Sequence, residues 1–179
     1  MSESHHTSGL GIIRIEGRTT IPAGQEVKVL DTIIGDNLKR DEIFQHWRGQ
    51  IINNSLFVEE RLDWAINKLL PKDSPHKIIN LSFKKKSVLL KELINKIGSF
   101  KAQDLSQLFN DLDKIIEERN KFAHGQVSYS GMQGEKIFLS YFRETLQKEE
   151  ITEANIISFI EKCVKCRQEL DKIMQLAQP

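Results

Sequence analysis

Two cysteines, Cys163 and Cys166, are too few for a disulfide framework in a chain of 179 residues, and they agree with a reducing compartment. Charge of one sign is equally scarce. With 26 basic and 25 acidic residues the formal charge is +1, so affinity for a polyanion has to come from local clustering and not from a global field. No run approaches the roughly 18 apolar residues of a membrane span, and the start Met1-Ser2-Glu3-Ser4-His5-His6 lacks the basic-then-apolar order of a signal peptide. The expectation is a cytoplasmic protein with no membrane partner. Internal repeats, long low-complexity segments, a phosphate-binding glycine loop and a Ser-His-Asp order are all missing, so no cofactor is expected. Cys163-Val164-Lys165-Cys166 falls inside a helical pattern, away from the helix start that redox pairs occupy, and zinc would need two further ligands. It reads as ordinary packing, and no metal site is expected.

What is present is a soluble globular composition, 39% apolar and 28% charged, sufficient for one sizeable core. Residues 1–9 are small and polar and read as a disordered tail. Ile13, Ile15, Val27 and Val29 alternate with polar residues around Ile21-Pro22-Ala23-Gly24, so residues 10–34 read as a β-hairpin arm on the body, an extended arm on a neighbouring subunit, or a partly disordered leader. The boundary is set at residue 35, with a helical domain over 36–179. Asp36 or Asn37 caps a first helix of roughly 30 residues, in which Ile43, Trp47, Ile51, Ser55, Val58, Leu62, Ala65 and Leu69 recur at three- and four-residue steps. Pro71 ends it. Trp47 and Trp64 are expected in the core.

Ser82 opens a second helix that stops at Gly98. Nine lysines between residues 68 and 101 face only Asp73 and Glu92, an excess of seven positive charges and the one basic region; Lys84, Lys85 and Lys86 are its candidate RNA contacts. Asp104 caps a third helix carrying Leu105, Leu108, Leu112 and Ile115 onward to Arg119 and Phe122, with Gly125 as its stop. Strands around Val127–Tyr129 and Ile137–Tyr141 bracket a Gly131-Met132-Gln133-Gly134 turn, a small β-hairpin. Thr152 and Asn155, after Glu149 and Glu150, then mark the start of a last helix running nearly to Gln175.

The stretch with chemistry in it is Arg119-Asn120-Lys121-Phe122-Ala123-His124-Gly125. A guanidinium, an amide and an imidazole on one side of a helix end suit a phosphodiester better than an apolar partner. The pattern matches Arg-(Asn/Asp/His)-x-x-x-His and resembles the signature of the HEPN superfamily, in the Arg-Asn-x-x-Ala-His-Gly form, over residues 38–176. The resemblance implies a mainly α fold: an up-and-down four-helix bundle with a short β-hairpin after the third helix. It also implies a metal-independent endoribonuclease, often a toxin or antiphage effector, with an RNA substrate, an antitoxin protein in toxin systems, and a homodimer that brings two motifs together. Arg119, Asn120 and His124 are then the catalytic residues. Other members of the superfamily serve as catalytically inactive dimerisation or RNA-binding modules, the alternative reading. Some toxins of the superfamily follow the motif's histidine with x-Tyr; here Gln126 and Val127 follow Gly125, and a nucleotidyltransferase antitoxin is not implied.

Overall fold

A computed structural model describes residues 26–71, 78–98, 102–130 and 136–176, with the backbone alone over 26–37 and 102–104. The tail, the strands read around Ile13 and Ile15, and the Gly131–Gly134 turn lie outside the described residues. Four helices dominate: α1 (Glu26–Leu69), α2 (Phe83–Ile97), α3 (Ala102–His124) and α4 (Glu153–Leu176). A three-stranded antiparallel sheet, β1 (Gln126–Ser130), β2 (Lys136–Phe142) and β3 (Leu146–Ile151), sits between α3 and α4 with β2 in the centre. The protein is therefore mainly helical.

The arm predicted over residues 10–34 is corrected where the structure reaches it. Val27 and Val29 lie in α1, whose 44 residues make a rod about 66 Å long. Alternation over Val27 and Val29 was too short to decide; Val27, Leu30, Ile34 and Leu38 also fit a helical period, and no proline interrupts residues 26–70. On α1 the first position of the buried stripe differs from that expected: Phe44 is buried where Ile43 is 46% exposed. Beyond it Ile51, Ser55, Val58, Leu62 and Ala65 are buried as the periodicity required.

The ends of α2 follow their capping chemistry. Ser82 accepts the amide of Lys85 at the start, and Gly98, at φ 68°, closes the end by donating its amide to the Ile94 carbonyl. At α4, Thr152 and Asn155 cap each other. The Asn155 Oδ1 accepts the Thr152 amide at 2.9 Å, while the Thr152 hydroxyl accepts the Asn155 amide at 3.3 Å.

One core joins all four helices and the inner face of the sheet. Leu62, Leu90, Leu112, Leu139 and Leu170 are fully buried within it. The helices do not alternate in direction. Arg167 lies over the Phe57 ring at 5.8 Å and Arg61 pairs with Asp171 at 3.7 Å, so contacts step forward together along α1 and α4 and the two run the same way. An up-and-down bundle would oppose them. Since α3 ends and α4 begins at the sheet, α3 opposes both. Lys84 bonds Asp113 and Lys91 lies over Phe109, so α2 also opposes α3. Cys163 and Cys166 pack in the middle of α4, and burial pushes both thiols up to about 12.

Candidate active site at the end of the third helix

The C-terminal turns of α3 are clamped from two sides. From α1, the Phe44 ring stacks on Phe122 with centroids 5.9 Å apart, and Arg48 Nη2 donates to the Ala123 carbonyl at 2.7 Å. That carbonyl is one of the last in the helix and has no partner within it. From the sheet, β2 runs against α3 in register. Leu139 meets Gly125, Tyr141 meets Lys121 and Arg143 meets Glu117, a two-residue step on the strand matching a four-residue step on the helix.

Lys121, a variable position of the motif, is the hub of the sheet side. Its ammonium bonds Glu118 at 2.7 Å and Glu149 at 3.4 Å and lies 4.9 Å from the Tyr141 ring, whose hydroxyl donates to Glu149 at 3.2 Å. Burial pulls this ammonium's pKa down, but the Glu118 bond and the charges of Glu118 and Glu149 outweigh it and leave the pKa well above the ordinary lysine range. Tyr129 on β1 secures the sheet to α1 by donating to Asp41 at 2.9 Å.

Gly125 has no left-handed φ, unlike Gly98. It is required because a Cβ there would stand 2.5 Å from the Lys121 carbonyl oxygen and 2.6 Å from Leu139 Cδ1. The helix stop foreseen at Gly125 is present, and its cause is close approach, not handedness.

Between these clamps the three motif residues remain near the surface. Arg119 is half-buried, and its Nη1 donates to Asn120 Oδ1 at 3.1 Å; Asn120 and His124 are exposed. Asn120 and His124 fall within about 20° of Asp113 around α3, continuing the stripe that faces α2 farther back. Lys84, near the first residue of α2, bonds Asp113, so α3 runs past the start of α2 by about three turns. That overshoot leaves Asn120 and His124 uncovered. Arg119 follows the line of core residues, as its spacing predicts, and lies half-buried between Ile115 and Phe122, with its guanidinium bonded to Asn120.

The lysine-rich region divides. Lys85 is exposed, and Lys84 is tied to Asp113. Lys86 is buried at 5% exposure between Glu59 and Asp63, each at 2.8 Å, which removes it as an RNA contact. Burial lowers its pKa, and the hydrogen bonds to Asp63 and Glu59 more than offset this. Lysines spaced for a solvated face cannot reveal which of them finds carboxylates on a neighbouring helix. Trp47 packs against the core, whereas Trp64 is 47% exposed beneath the Arg61 guanidinium, a correction to its expected burial.

Arg48 was not singled out by its sequence position. Its signal was a lone cation on the buried stripe of α1, four residues after Phe44. A cleft of about 290 Å³ between α2 and α3, lined by Lys91, Asn95, Leu105 and Phe109 among others, is at the far end of α3 from the motif. Among the described residues no cluster of three or more His, Cys, Asp or Glu is arranged to hold a metal ion, and no helix is long and apolar enough to cross a membrane. Comparison with protein-family models, curated proteins and solved structures finds no match for the chain.

Proposed function

We propose that this chain is a metal-independent endoribonuclease of the HEPN type that works as a homodimer, in a toxin–antitoxin or antiphage setting. The observation that carries the reading is an exposed Asn120 and His124 on one stripe of α3, with the Arg119 guanidinium turned to Asn120. Arg119 directs its remaining N–H donors at the scissile phosphate and offsets charge that accumulates there. Asn120 orients the phosphate. His124, whose imidazole can accept or donate a proton, takes the proton from the ribose 2′-hydroxyl as the 2′-oxygen attacks phosphorus. The 5′-oxygen departs with a proton from the second copy of His124, leaving a 2′,3′-cyclic phosphate and a 5′-hydroxyl. One imidazole per chain cannot be acid and base in the same step, which is the chemical reason for a two-fold site.

The test is incubation of purified protein with mixed RNAs in EDTA. Cleavage by the wild type and loss of cleavage in a folded His124→Ala variant are expected. No cleavage, or equal cleavage by the variant, overturns the proposal.

One observation favours a second reading, a catalytically inactive dimerisation or RNA-binding module. Ala123 and Gly125 both have structural duties, one accepting from Arg48 and the other admitting Leu139, so part of the motif is explained without chemistry. Under this reading Arg119→Ala lowers dimer stability and changes no activity.

A further inference from the structure

Among the described residues no helix packs on the outer face of the sheet. Inner-face residues Ile137 and Leu139 are buried, and Tyr129 and Tyr141 reach Asp41 and Glu149. Strand alternation turns Phe138 and Phe142 of the central strand the other way. Phe142 is 83% exposed, and its register partner Leu146 is 61% exposed. Lys148 Nζ stands 4.7 Å from the centre of the Phe138 ring, and Lys136 bonds Glu150 at 2.8 Å on the same face. Among the described strand residues on this face, Lys136 and Lys148 stand against Glu150, an excess of one positive charge. Across from Phe138, the Ser128 hydroxyl is buried without a hydrogen-bond partner among the described residues.

We propose that this face is a binding platform for unpaired RNA, with bases stacking on Phe142 and Phe138 and Lys148 holding the backbone phosphate between them. Two aromatic rings four residues apart on a strand stand about 13 Å from each other, far enough for separate bases of one extended strand. Aromatic faces bind any base, and a cation beside a ring supplies the phosphate contact that such platforms need. Duplex RNA keeps its bases stacked inside and cannot use the rings. A protein partner would also cover Phe142 and Leu146, but the lysines interleaved with the rings favour a polyanion. The proposal takes RNA from the reading above, yet it concerns a different face of the sheet from the one that pins α3.

The experiment is fluorescence anisotropy with a labelled, uncleavable 2′-O-methyl oligonucleotide of about 12 nucleotides, matched to the footprint of a single-stranded platform. Wild-type protein is expected to bind it more tightly than a duplex of the same sequence. Phe142→Ala should weaken binding about 5- to 100-fold, and Phe142→Trp should restore it. Lys148→Glu should weaken binding and flatten its salt dependence. Equal binding by Phe142→Ala, no binding by the wild type, or a change of oligomeric state in Phe142→Ala with RNA binding intact overturns the platform. Binding with these properties but no cleavage would leave the platform standing and remove the nuclease reading. Cleavage that persists unchanged in Phe142→Ala, with binding also unchanged, would do the reverse.

Discussion

Replacing Gly125 by alanine sets two effects of opposite sign against each other at the junction that presents His124. Restricting the unfolded chain favours the alanine by about 0.4–1 kcal/mol. The folded state opposes it, because the new Cβ would stand 2.5 Å from the Lys121 carbonyl oxygen, 2.6 Å from Leu139 Cδ1 and 3.0 Å from Leu139 Cγ. Leu139 is fully buried and Lys121 contributes backbone, so neither neighbour is the loose end of a flexible side chain. Overpacking of this kind costs about 1–3 kcal/mol, with backbone clashes toward the upper end. The net destabilisation is about 1–2 kcal/mol, which for a chain of this size lowers Tm by roughly 2–8 °C. Thermal unfolding followed by circular dichroism reads it directly. A Leu139→Ala background separates the two contacts: it should relieve the clash with Leu139 and leave the one with the Lys121 carbonyl, so the two substitutions should be less than additive. A Gly125→Ala variant as stable as the wild type, or more so, would refute the close-approach account and return Gly125 to the role of an ordinary helix stop.

Three further outcomes follow from the packing. Lys86→Met strands Glu59 and Asp63 beside a buried site; its cost should be near or below the lower end of the roughly 3–5 kcal/mol seen for broken buried pairs, since both carboxylates keep some water, and adding Glu59→Gln with Asp63→Asn should recover much of it in urea unfolding. Arg48→Ala should lower stability by about 1–2 kcal/mol by removing the bond to the Ala123 carbonyl, with Arg48→Lys recovering part of the loss. Stability should also fall as pH rises above 9: Cys163 and Cys166, pushed by burial from 9.0 up to about 12, stay protonated in the folded state while the unfolded chain ionises. Each thiol then removes up to about 1.4 kcal/mol per pH unit over that window. Lys86 and Lys121, both held above their ordinary 10.5, act in the same direction at higher pH, because the stability that their charged forms contribute below 10.5 is lost as the folded-state groups deprotonate. Urea midpoints that stay constant between pH 8 and 10.5 would contradict the buried thiols.

Local chemistry was legible where a residue acts on its own backbone. Ser82 and Gly98 bound α2, and Thr152 with Asn155 opens α4, because caps are written in the residues that make them. The third strand was not legible. Leu146-Gln147-Lys148-Glu149-Glu150-Ile151 has apolar residues only at its ends, and as an edge strand with an exposed outer face it needs no alternation. Glu149 and Glu150 looked like a helix approach for the same reason. Direction was also hidden: helix periods give faces and lengths, but that α1 and α4 run the same way depends on long-range pairs such as Arg61 with Asp171. Lys86 shows the same limit from the side of charge, since its buried setting is decided by two residues on another helix.

The motif can now be divided by what its residues touch. A helix terminus needs its last carbonyls satisfied, and an arginine or histidine near the end is the ordinary means. Here the Ala123 carbonyl is taken by Arg48, which reaches across from α1. Phe122 fills the core, Lys121 locks the sheet, and Gly125 makes room for Leu139. The stop is complete without His124, whose exposed ring has no hydrogen-bond partner among the described residues, and without Asn120, whose bond is to its neighbour Arg119. Folding therefore accounts for the spacer residues and the glycine and makes less use of the three positions to which the proposed phosphodiester chemistry is assigned. A purely structural motif should also engage His124, whose ring makes no hydrogen bond among the described residues.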